Sequence, residues 1–185
     1  SPRRGTMKIS TLDIPGALIV DVEELSDERG FFARTFCRQE FAAHGLSTSI
    51  AQSSISFNKL RGTLRGMHYQ TKPHEEAKLV RCTKGVIYDV IIDLRNDSPT
   101  FKQWLSVELS ADNHRGLYIP EGVAHGFLTL ADDCEVLYQI SEFFHPECAS
   151  GVRWNDPAFG IHWPEKVCII SERDQRYADF IEGAS

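Results

Sequence analysis

Short β-rich runs separated by Gly, Pro, Asn and Asp are the feature that most constrains how this chain can fold. Each run has the length of a strand and is rich in aromatic or β-branched residues, and the breaks recur at the spacing of an antiparallel sandwich or barrel. We predict strands at residues 18–22, 50–57, 78–82, 85–94, 103–109, 116–119, 126–130, 135–144 and 168–170. The pattern therefore indicates an all-β fold.

Helical segments are predicted at only two places. Residues 38–44 are the better candidate because Gly45 follows them in the position of a C-cap, and residues 173–180 are expected to form a terminal turn. A closed barrel of about eight strands leaves room for one small ligand near its mouth. We therefore expect the functional site in a pocket inside the barrel.

A single domain accounts for the length of the chain. Its 185 residues, 42% of them hydrophobic, suffice for one sizeable core. We expect this domain to span residues 7–185, because no repeat or linker divides them. Residues 1–6 precede Met7 and contain an Arg3-Arg4 pair, and we expect them to be a remnant of recombinant expression.

The charge pattern and the cysteines argue against several classes of function. A net charge of −6 without any Lys/Arg run disfavours nucleic-acid binding, which needs a basic surface. No stretch approaches 18 consecutive apolar residues, so we expect no membrane association and a cytoplasmic location. The five cysteines never form a CxxC pair, which speaks against a disulfide framework or a thiolate zinc site.

Two histidines lie in segments that resemble the two motifs of the cupin jelly roll. Residues 66–70 read GMHYQ and contain His68, and residues 120–125 read PEGVAH and contain His125. Metal-binding cupins use an H-x-H pair and a downstream Glu, because imidazoles and a carboxylate converge on one cation. Here Gln70 stands where the second His would be, so a metal-dependent dioxygenase or isomerase is the less favoured interpretation.

The surroundings of His68 suggest an anionic ligand. A lone histidine is more often a satisfied core residue, and that interpretation suffices for His125. Arg65 and His68, however, lie close together in a strand-like stretch that also contains Arg61. Placing Arg65 and His68 inside a barrel would be costly unless an anion or a carboxylate paired with them. A diphosphate meets that requirement.

The chain resembles the dTDP-4-dehydrorhamnose 3,5-epimerase family over nearly its whole length after Met7. The matching segments are residues 27–32 (DERGFF), 62–70 (GTLRGMHYQ), 78–81 (KLVR), 85–95, 120–127, 137–138, 154–157 (WNDP), 160–161, 163–164 and 171–174 (SERD). Their order and spacing together make the resemblance specific. It implies a cupin-type jelly roll that epimerises a nucleotide-linked 4-keto-6-deoxyhexose without a metal or a redox cofactor.

The resemblance also implies catalytic roles that suit each residue type. A 4-keto group makes the hydrogens on C3 and C5 removable, because the carbanion becomes an enolate with its charge on oxygen. His68 would be the base, with Asp174 stabilising its imidazolium. Lys78, with Arg65 nearby, would meet the oxyanion, and Tyr138 would return a proton to the opposite face.

The remaining implications concern substrate binding and assembly. Arg29, Gln52, Arg65 and His125 are expected to contact phosphate or sugar oxygens of the nucleotide-diphosphate sugar. Members of the family are homodimers that exchange N-terminal strands. The resemblance therefore implies a homodimer, in which Arg29 would serve the partner subunit.

Two departures from the family pattern fall at the nucleotide end of the pocket. Arg34 stands where a Glu usually faces thymine, and Ser54 replaces an Asn two places after Gln52. Thymine presents an N–H donor at N3, whereas cytosine presents acceptors, which suit an arginine. One hypothesis is a CDP-linked sugar, with a GDP-linked one as the next choice. The alternative is that Arg34 is an outward-facing surface charge and the base is thymine.

A third departure and two alternatives concern the reaction. Phe143-Phe144 stand where two tyrosines are usual, so the enzyme could invert only one of C3 and C5. A ketoisomerase of the same fold would use the same enolate to move the carbonyl. A non-catalytic sugar-binding cupin would need no base, and the presence of His68, Asp174 and Tyr138 speaks against it.

Overall fold

The computed structural model describes residues 6–181, which form fourteen β-strands and two short α-helices. The strands are, in chain order, β1 Lys8–Thr11, β2 Leu18–Asp21, β3 Leu25–Asp27, β4 Gly30–Phe32, β5 Gln52–Asn58, β6 Thr63–Gln70, β7 Lys78–Lys84, β8 Val86–Asp93, β9 Trp104–Ser110, β10 Gly116–Ile119, β11 Val123–Thr129, β12 Cys134–Ile140, β13 Ala149–Gly151 and β14 Ile169–Ile170. The helices are α1 Arg38–Ala43 and α2 Glu172–Gln175, and residues Pro146–Cys148 form a 3-10 turn.

Two six-stranded sheets build the barrel. The first sheet has the strand order β1-β2-β10-β7-β12-β5, and the second has the order β13-β6-β11-β8-β9, with β14 pairing in parallel beside β6. Strands β3 and β4 form a separate hairpin. The chain thus adopts the expected all-β cupin-type jelly roll, in which strands distant in sequence pair across the barrel.

The largest core lies between the two sheets. It includes Val80 and Leu117 from the first sheet and Ile91 and Phe127 from the second, all buried. A second core covers the outer face of the second sheet, where Met67, Val90 and Ile92 pack against Val152 and Phe159 from the C-terminal segment. Because both faces of this sheet are covered, β11 is buried along its whole length and is continuously apolar except for His125 and its end residue Thr129.

The two helices lie where the sequence predicted them, with small differences in their bounds. Helix α1 ends one residue before the predicted bound, and Gly45 adopts a φ of +70°, the left-handed conformation expected beyond a helix C-terminus. Phe41 anchors α1 against the outer face of the first sheet. The terminal turn is shorter than predicted, since α2 spans only Glu172–Gln175. Within the described residues, no helix combines the length and apolarity needed to cross a bilayer.

Several predicted strands have wrong ends, and several observed strands were not predicted. The strand predicted at 135–144 stops at Ile140, because residues 141–145 leave the sheet to form a rim beside the cavity described below. Strand β6 was recognised only as a strand-like stretch without bounds. Strands β1, β3, β4 and β13 were not predicted at all; each has at most four residues, and none contains a buried side chain. Such short segments carry too little hydrophobic periodicity to be recognised locally. Of the segment proposed to be an expression remnant, residues 1–5 lie outside the described residues.

Candidate active site

A cavity of about 310 Å³ opens between the two sheets, within the size range of small-molecule sites. Strand β6 contributes Arg65 and His68, β7 contributes Lys78, β11 contributes His125, and β12 contributes Tyr138. Strand β5 adds Gln52 and Ser54. The structure therefore brings seven of the predicted site residues to one cavity: Gln52, Ser54, Arg65, His68, Lys78, His125 and Tyr138.

A bulge in β6 places Arg65 and His68 on the same face of the sheet. Side chains three positions apart in a regular strand point to opposite faces. Here His68 pairs with His125 while Arg65 pairs with Phe127, so β6 holds one more residue than β11 between these pairs. Both side chains consequently face the cavity, and Met67 turns into the outer core.

Glycines permit this bulge. Gly66 has a φ of +133°, a conformation that side chains rarely adopt, and a Cβ atom there would lie 2.5 Å from the Cα of Gly126. A Cβ atom on Gly126 would in turn lie 2.6 Å from the Arg65 carbonyl oxygen. The two backbones can approach this closely only without side chains. Gly66 in the strand-like stretch 61–70, and Gly126 at the start of the strand predicted at 126–130, are the sequence signals that could have indicated this feature.

His68 and Asp174 form a hydrogen-bonded dyad. The His68 Nε2 lies 2.7 Å from Asp174 Oδ1, and Asp174 Oδ2 accepts from the backbone N–H of Gly66 at 3.1 Å. Burial opposes ionisation of Asp174, but its hydrogen bond from His68 and the nearby charges outweigh that effect and lower its pKa below the usual range. An ionised carboxylate only accepts hydrogen bonds, so the His68 Nε2 that faces it carries a proton, and Nδ1 is the ring nitrogen that can act as a base.

Tyr138 reaches the cavity from the sheet opposite His68. Burial, followed by the charge of Asp89, raises the pKa of Tyr138 well above that of a free phenol. Its hydroxyl is therefore protonated at neutral pH. A protonated phenol and an imidazole thus line the same cavity from opposite walls, which is the arrangement needed to remove a proton on one face and return it on the other.

Two further pairs of ionisable side chains lie at the cavity. Lys78 is 7% exposed and its Nζ lies 3.2 Å from Glu76 Oε1. His125 Nε2 lies 2.6 Å from Asp89 Oδ1, and the other oxygen of Asp89 is buried without a hydrogen-bond partner. Burial raises the pKa of Asp89, against the opposing effects of His125 and Lys78. Lys78 is thus held beside a carboxylate in a water-poor setting.

Arg65 lies at the mouth of the cavity and is exposed, so the predicted burial of its charge was wrong. Its Nε donates to Asn58 Oδ1 at 2.7 Å, and an NH2 group donates to the Phe57 carbonyl at 3.2 Å. Within residues 6–181, no carboxylate forms an ion pair with this guanidinium. The positive charge at the mouth is therefore available to an anionic ligand.

Arg29 and Arg34 do not reach the cavity of their own chain. Arg29 lies in the β3–β4 hairpin, where its side chain is 86% exposed and pairs with Asp27. Arg34 lies 3.4 Å from Glu40, in the segment before α1. A single chain therefore leaves both predicted substrate-binding arginines outside the site.

The sequence reasoning missed Asp89, Glu76 and Arg173. Asp89 is an ionisable residue in the middle of a strand whose only other acidic residue is its last one, Asp93, and this is a recognisable sign of a buried polar partner. Arg173 lines the cavity and directly precedes Asp174 in the SERD segment. Glu76 carries no such signal, because acidic residues are common in loops. The side chain of Gln70 forms hydrogen bonds with backbone groups. Its Oε1 accepts from the N–H of His145 at 2.9 Å, and its Nε2 donates to the carbonyl of His74 at 2.6 Å.

The cavity of this jelly roll combines an imidazole–carboxylate dyad with an opposing phenol and a buried lysine. This combination is typical of one class of proteins, the cupin-type isomerases that act by proton transfer. The family model that matches the chain is dTDP-4-dehydrorhamnose 3,5-epimerase, over residues 11–182.

Known proteins of this family are similar over most of their length. The dTDP-4-dehydrorhamnose 3,5-epimerase of Methanothermobacter thermautotrophicus is 44% identical over 167 residues, covering 89% of each chain. The crystal structure of the Bacillus anthracis enzyme, with TDP and PPi bound, superposes with a TM-score of 0.91 at 39% identity, covering 95% of this chain and 100% of that one. A 3'-monoepimerase from Streptomyces bikiniensis, in complex with dTDP-quinovose, has a TM-score of 0.85 at 33% identity, covering 92% and 86%.

This chain belongs to the dTDP-4-dehydrorhamnose 3,5-epimerase family. Its curated relatives are carbohydrate epimerases, which are isomerases.

Proposed function

We propose that the chain inverts C3 and C5 of a dTDP-linked 4-keto-6-deoxyhexose through enolate intermediates. The observation that carries the proposal is the His68–Asp174 dyad in a cavity whose opposite wall presents protonated Tyr138. His68 Nδ1 takes the proton beside the ketone, and Asp174 stabilises the resulting imidazolium. Lys78 stabilises the enolate oxygen, and Tyr138 delivers a proton to the opposite face of the carbon. Arg65 holds the diphosphate at the cavity mouth, with Gln52, Ser54 and His125 contacting substrate oxygens.

Turnover in D2O tests the reaction directly. With dTDP-4-keto-6-deoxyglucose as substrate, we expect deuterium at both C3 and C5 of the product, because each inversion replaces a carbon-bound hydrogen with one from solvent. Mass spectrometry counts the label and NMR locates it. Label at C3 alone would assign a monoepimerase, consistent with Phe144, which lacks a hydroxyl, lining the cavity. A product with a displaced carbonyl would instead identify a ketoisomerase.

The nucleotide base is proposed to be thymine. Recognition of cytosine would require a free guanidinium on Arg34, but that group forms an ion pair with Glu40. The ion pair therefore favours the alternative in which Arg34 is a surface charge and the base is thymine. We expect calorimetric titration with dTDP, CDP, GDP and UDP to show dTDP binding at least about tenfold more tightly than the others, since a mismatched base edge leaves polar groups unpaired. Tighter binding of CDP would restore the cytosine hypothesis, and Arg34→Glu should then reverse the preference.

The chain is further proposed to act as a homodimer with exchanged N-terminal strands. Strand β5 forms an edge of the first sheet, yet Ile55 is 63% exposed and Phe57 is 44% exposed. Phe32, in the β3–β4 hairpin, is 71% exposed. Apolar edges of this kind are usually covered by another chain. Exchange of the N-terminal segments would also explain why Arg29 lies away from its own cavity.

Mixing two inactive variants tests the exchange. In a mixed dimer, the Arg29→Ala chain keeps its own His68, and its cavity would receive Arg29 from the His68→Ala partner. That cavity would therefore be complete. Random co-refolding should then restore about a quarter of the wild-type activity, because half of the dimers contain one complete site. If Arg29 served its own chain, mixing would restore nothing, and full activity of Arg29→Ala alone would show that this arginine serves no cavity. Sedimentation of the wild-type chain gives the control, with a two-chain species expected.

The proposed compartment is the cytoplasm. All five cysteines are free, including the buried Cys82 and Cys134 and the exposed Cys168. Burial raises the pKa of Cys82 to about 12, so this thiol is unreactive. Unpaired cysteines are typical of reducing compartments, where the nucleotide-sugar substrate would also be made.

A further inference from the structure

A cluster of metal-ligating side chains lies outside the cavity, on the rim formed by two loops. His74 lies in the loop after β6, and Glu142 and His145 lie in the segment after β12. One ligand atom from each of these three half-buried residues lies within 4.8 Å of the other two. Glu147 is also close, with its Oε1 at 3.0 Å from His145 Nδ1. None of the four residues lines the cavity that holds His68.

The backbone around this rim cluster is held in place by one buried amide. Gln70 is 3% exposed; its Nε2 donates to the carbonyl of His74 at 2.6 Å, and its Oε1 accepts from the N–H of His145 at 2.9 Å. Glu142 Oε1 accepts from the N–H of Phe143 at 2.7 Å, which leaves Oε2 to face His74 Nδ1 at 3.3 Å. The backbone that carries the ligand side chains is therefore positioned before any ion binds.

The donor groups of the rim cluster suit a divalent cation. The two imidazoles stack face to face, with ring centroids 3.3 Å apart and planes 7° from parallel. Two imidazoles beside two carboxylates form the nitrogen and oxygen donor set that Zn²⁺ prefers.

We propose that His74, Glu142 and His145 bind a divalent transition-metal ion, with Zn²⁺ as the best fit and Glu147 within reach as a fourth ligand. Ligand atoms about 2.0–2.2 Å from a tetrahedral ion lie roughly 3.4 Å apart, so the cluster contracts on binding. Because the rings are parallel, one imidazole tilts to aim its nitrogen at the ion, and the torsion that permits this is soft. The ion has no part in the epimerisation.

The expected effect of the ion is structural. It would join the loop after β6 to the segment after β12, which includes Phe144 between two of the ligands. Phe144 lines the cavity, and its N–H donates to Gln52 Oε1 at 2.8 Å. Binding of the ion would thus stabilise one wall of the cavity entrance, and a ligand that binds only the folded chain raises the unfolding temperature.

Calorimetry with metal-free protein and Zn²⁺ tests the site, with Co²⁺ absorption reporting tetrahedral coordination. We expect one saturable ion per chain, a higher unfolding temperature with Zn²⁺, and affinity at least about tenfold weaker in His74→Gln and His145→Gln. The matched control is His114→Gln, since His114 also lies near a carboxylate, 3.9 Å from Glu24, but has no second histidine ligand. Unfolding without metal shows whether each variant is folded, and Glu142→Gln provides an independent ligand variant. Absence of saturable binding, or equal affinity in the histidine variants and the control, would overturn the proposal.

Discussion

Replacing His68 with alanine is expected to slow solvent exchange at the sugar C–H bonds by about 10²–10⁴-fold, the usual contribution of a positioned general base. The reason is that His68 Nδ1 is the proposed proton acceptor, because the other ring nitrogen is held by ionised Asp174. Deuterium incorporation under saturating substrate measures the effect. Binding of dTDP should change little, because the charge proposed to hold the diphosphate is that of Arg65 at the cavity mouth.

A matched control separates loss of the base from loss of structure. His114→Ala removes an imidazole that lies outside the cavity and faces Glu24 at 3.9 Å, and it should exchange C–H hydrogens at the wild-type rate. Asp174→Asn should fall between the two, since it keeps the ring in place and removes the charge that stabilises the imidazolium. Undiminished exchange in His68→Ala would remove the base from the proposed mechanism and direct attention to the His125–Asp89 pair.

Replacing Tyr138 with phenylalanine is expected to separate proton removal from inversion. Without the phenol, His68 can still remove a proton and return it to the same face, so deuterium should enter recovered substrate. Delivery to the opposite face loses its acid, and formation of the inverted product should fall by about 10²-fold or more. Comparing label in recovered substrate with label in product by NMR measures the two steps in one experiment.

Tyr88→Phe is the matched control for this change. The Tyr88 hydroxyl donates to the His162 carbonyl at 2.9 Å on the outer face of the second sheet, so its removal should leave both exchange and inversion intact. Equal loss of exchange and inversion in Tyr138→Phe would show that the phenol positions the substrate and does not act as the acid.

Local sequence patterns predicted most of the framework. The strands β7, β8, β9, β10 and β11 are recognisable because their apolar runs meet turn residues at both ends, and α1 is recognisable from Gly45 beyond its last turn. The short strands β3 and β4 were not predictable. Their residues are mostly exposed in the single chain, so their sequences lack the alternation of apolar and polar residues that marks a half-buried strand.

The candidate site divides in the same way. The sequence and its family resemblance selected His68, Tyr138, Lys78 and Asp174 as residue types suited to enolate chemistry. The cavity that holds the first three, and the exposure of Arg65, became visible only in the folded chain. Arg29 and Arg34 show the limit most clearly, because matching a motif does not establish which subunit's cavity an arginine reaches.

The sequence by itself determined the class of fold and the chemical inventory, because strand propensity, turn residues and side-chain pKa are local properties. Tertiary structure decided which of those groups meet. His68 and Asp174 are separated by 106 positions along the chain, and their 2.7 Å contact requires the C-terminal turn to pack beside β6. The bulge between Arg65 and His68 likewise depends on the close approach of β11 at Gly126. Pairing between distant strands is set by packing of the whole barrel, which no local pattern encodes.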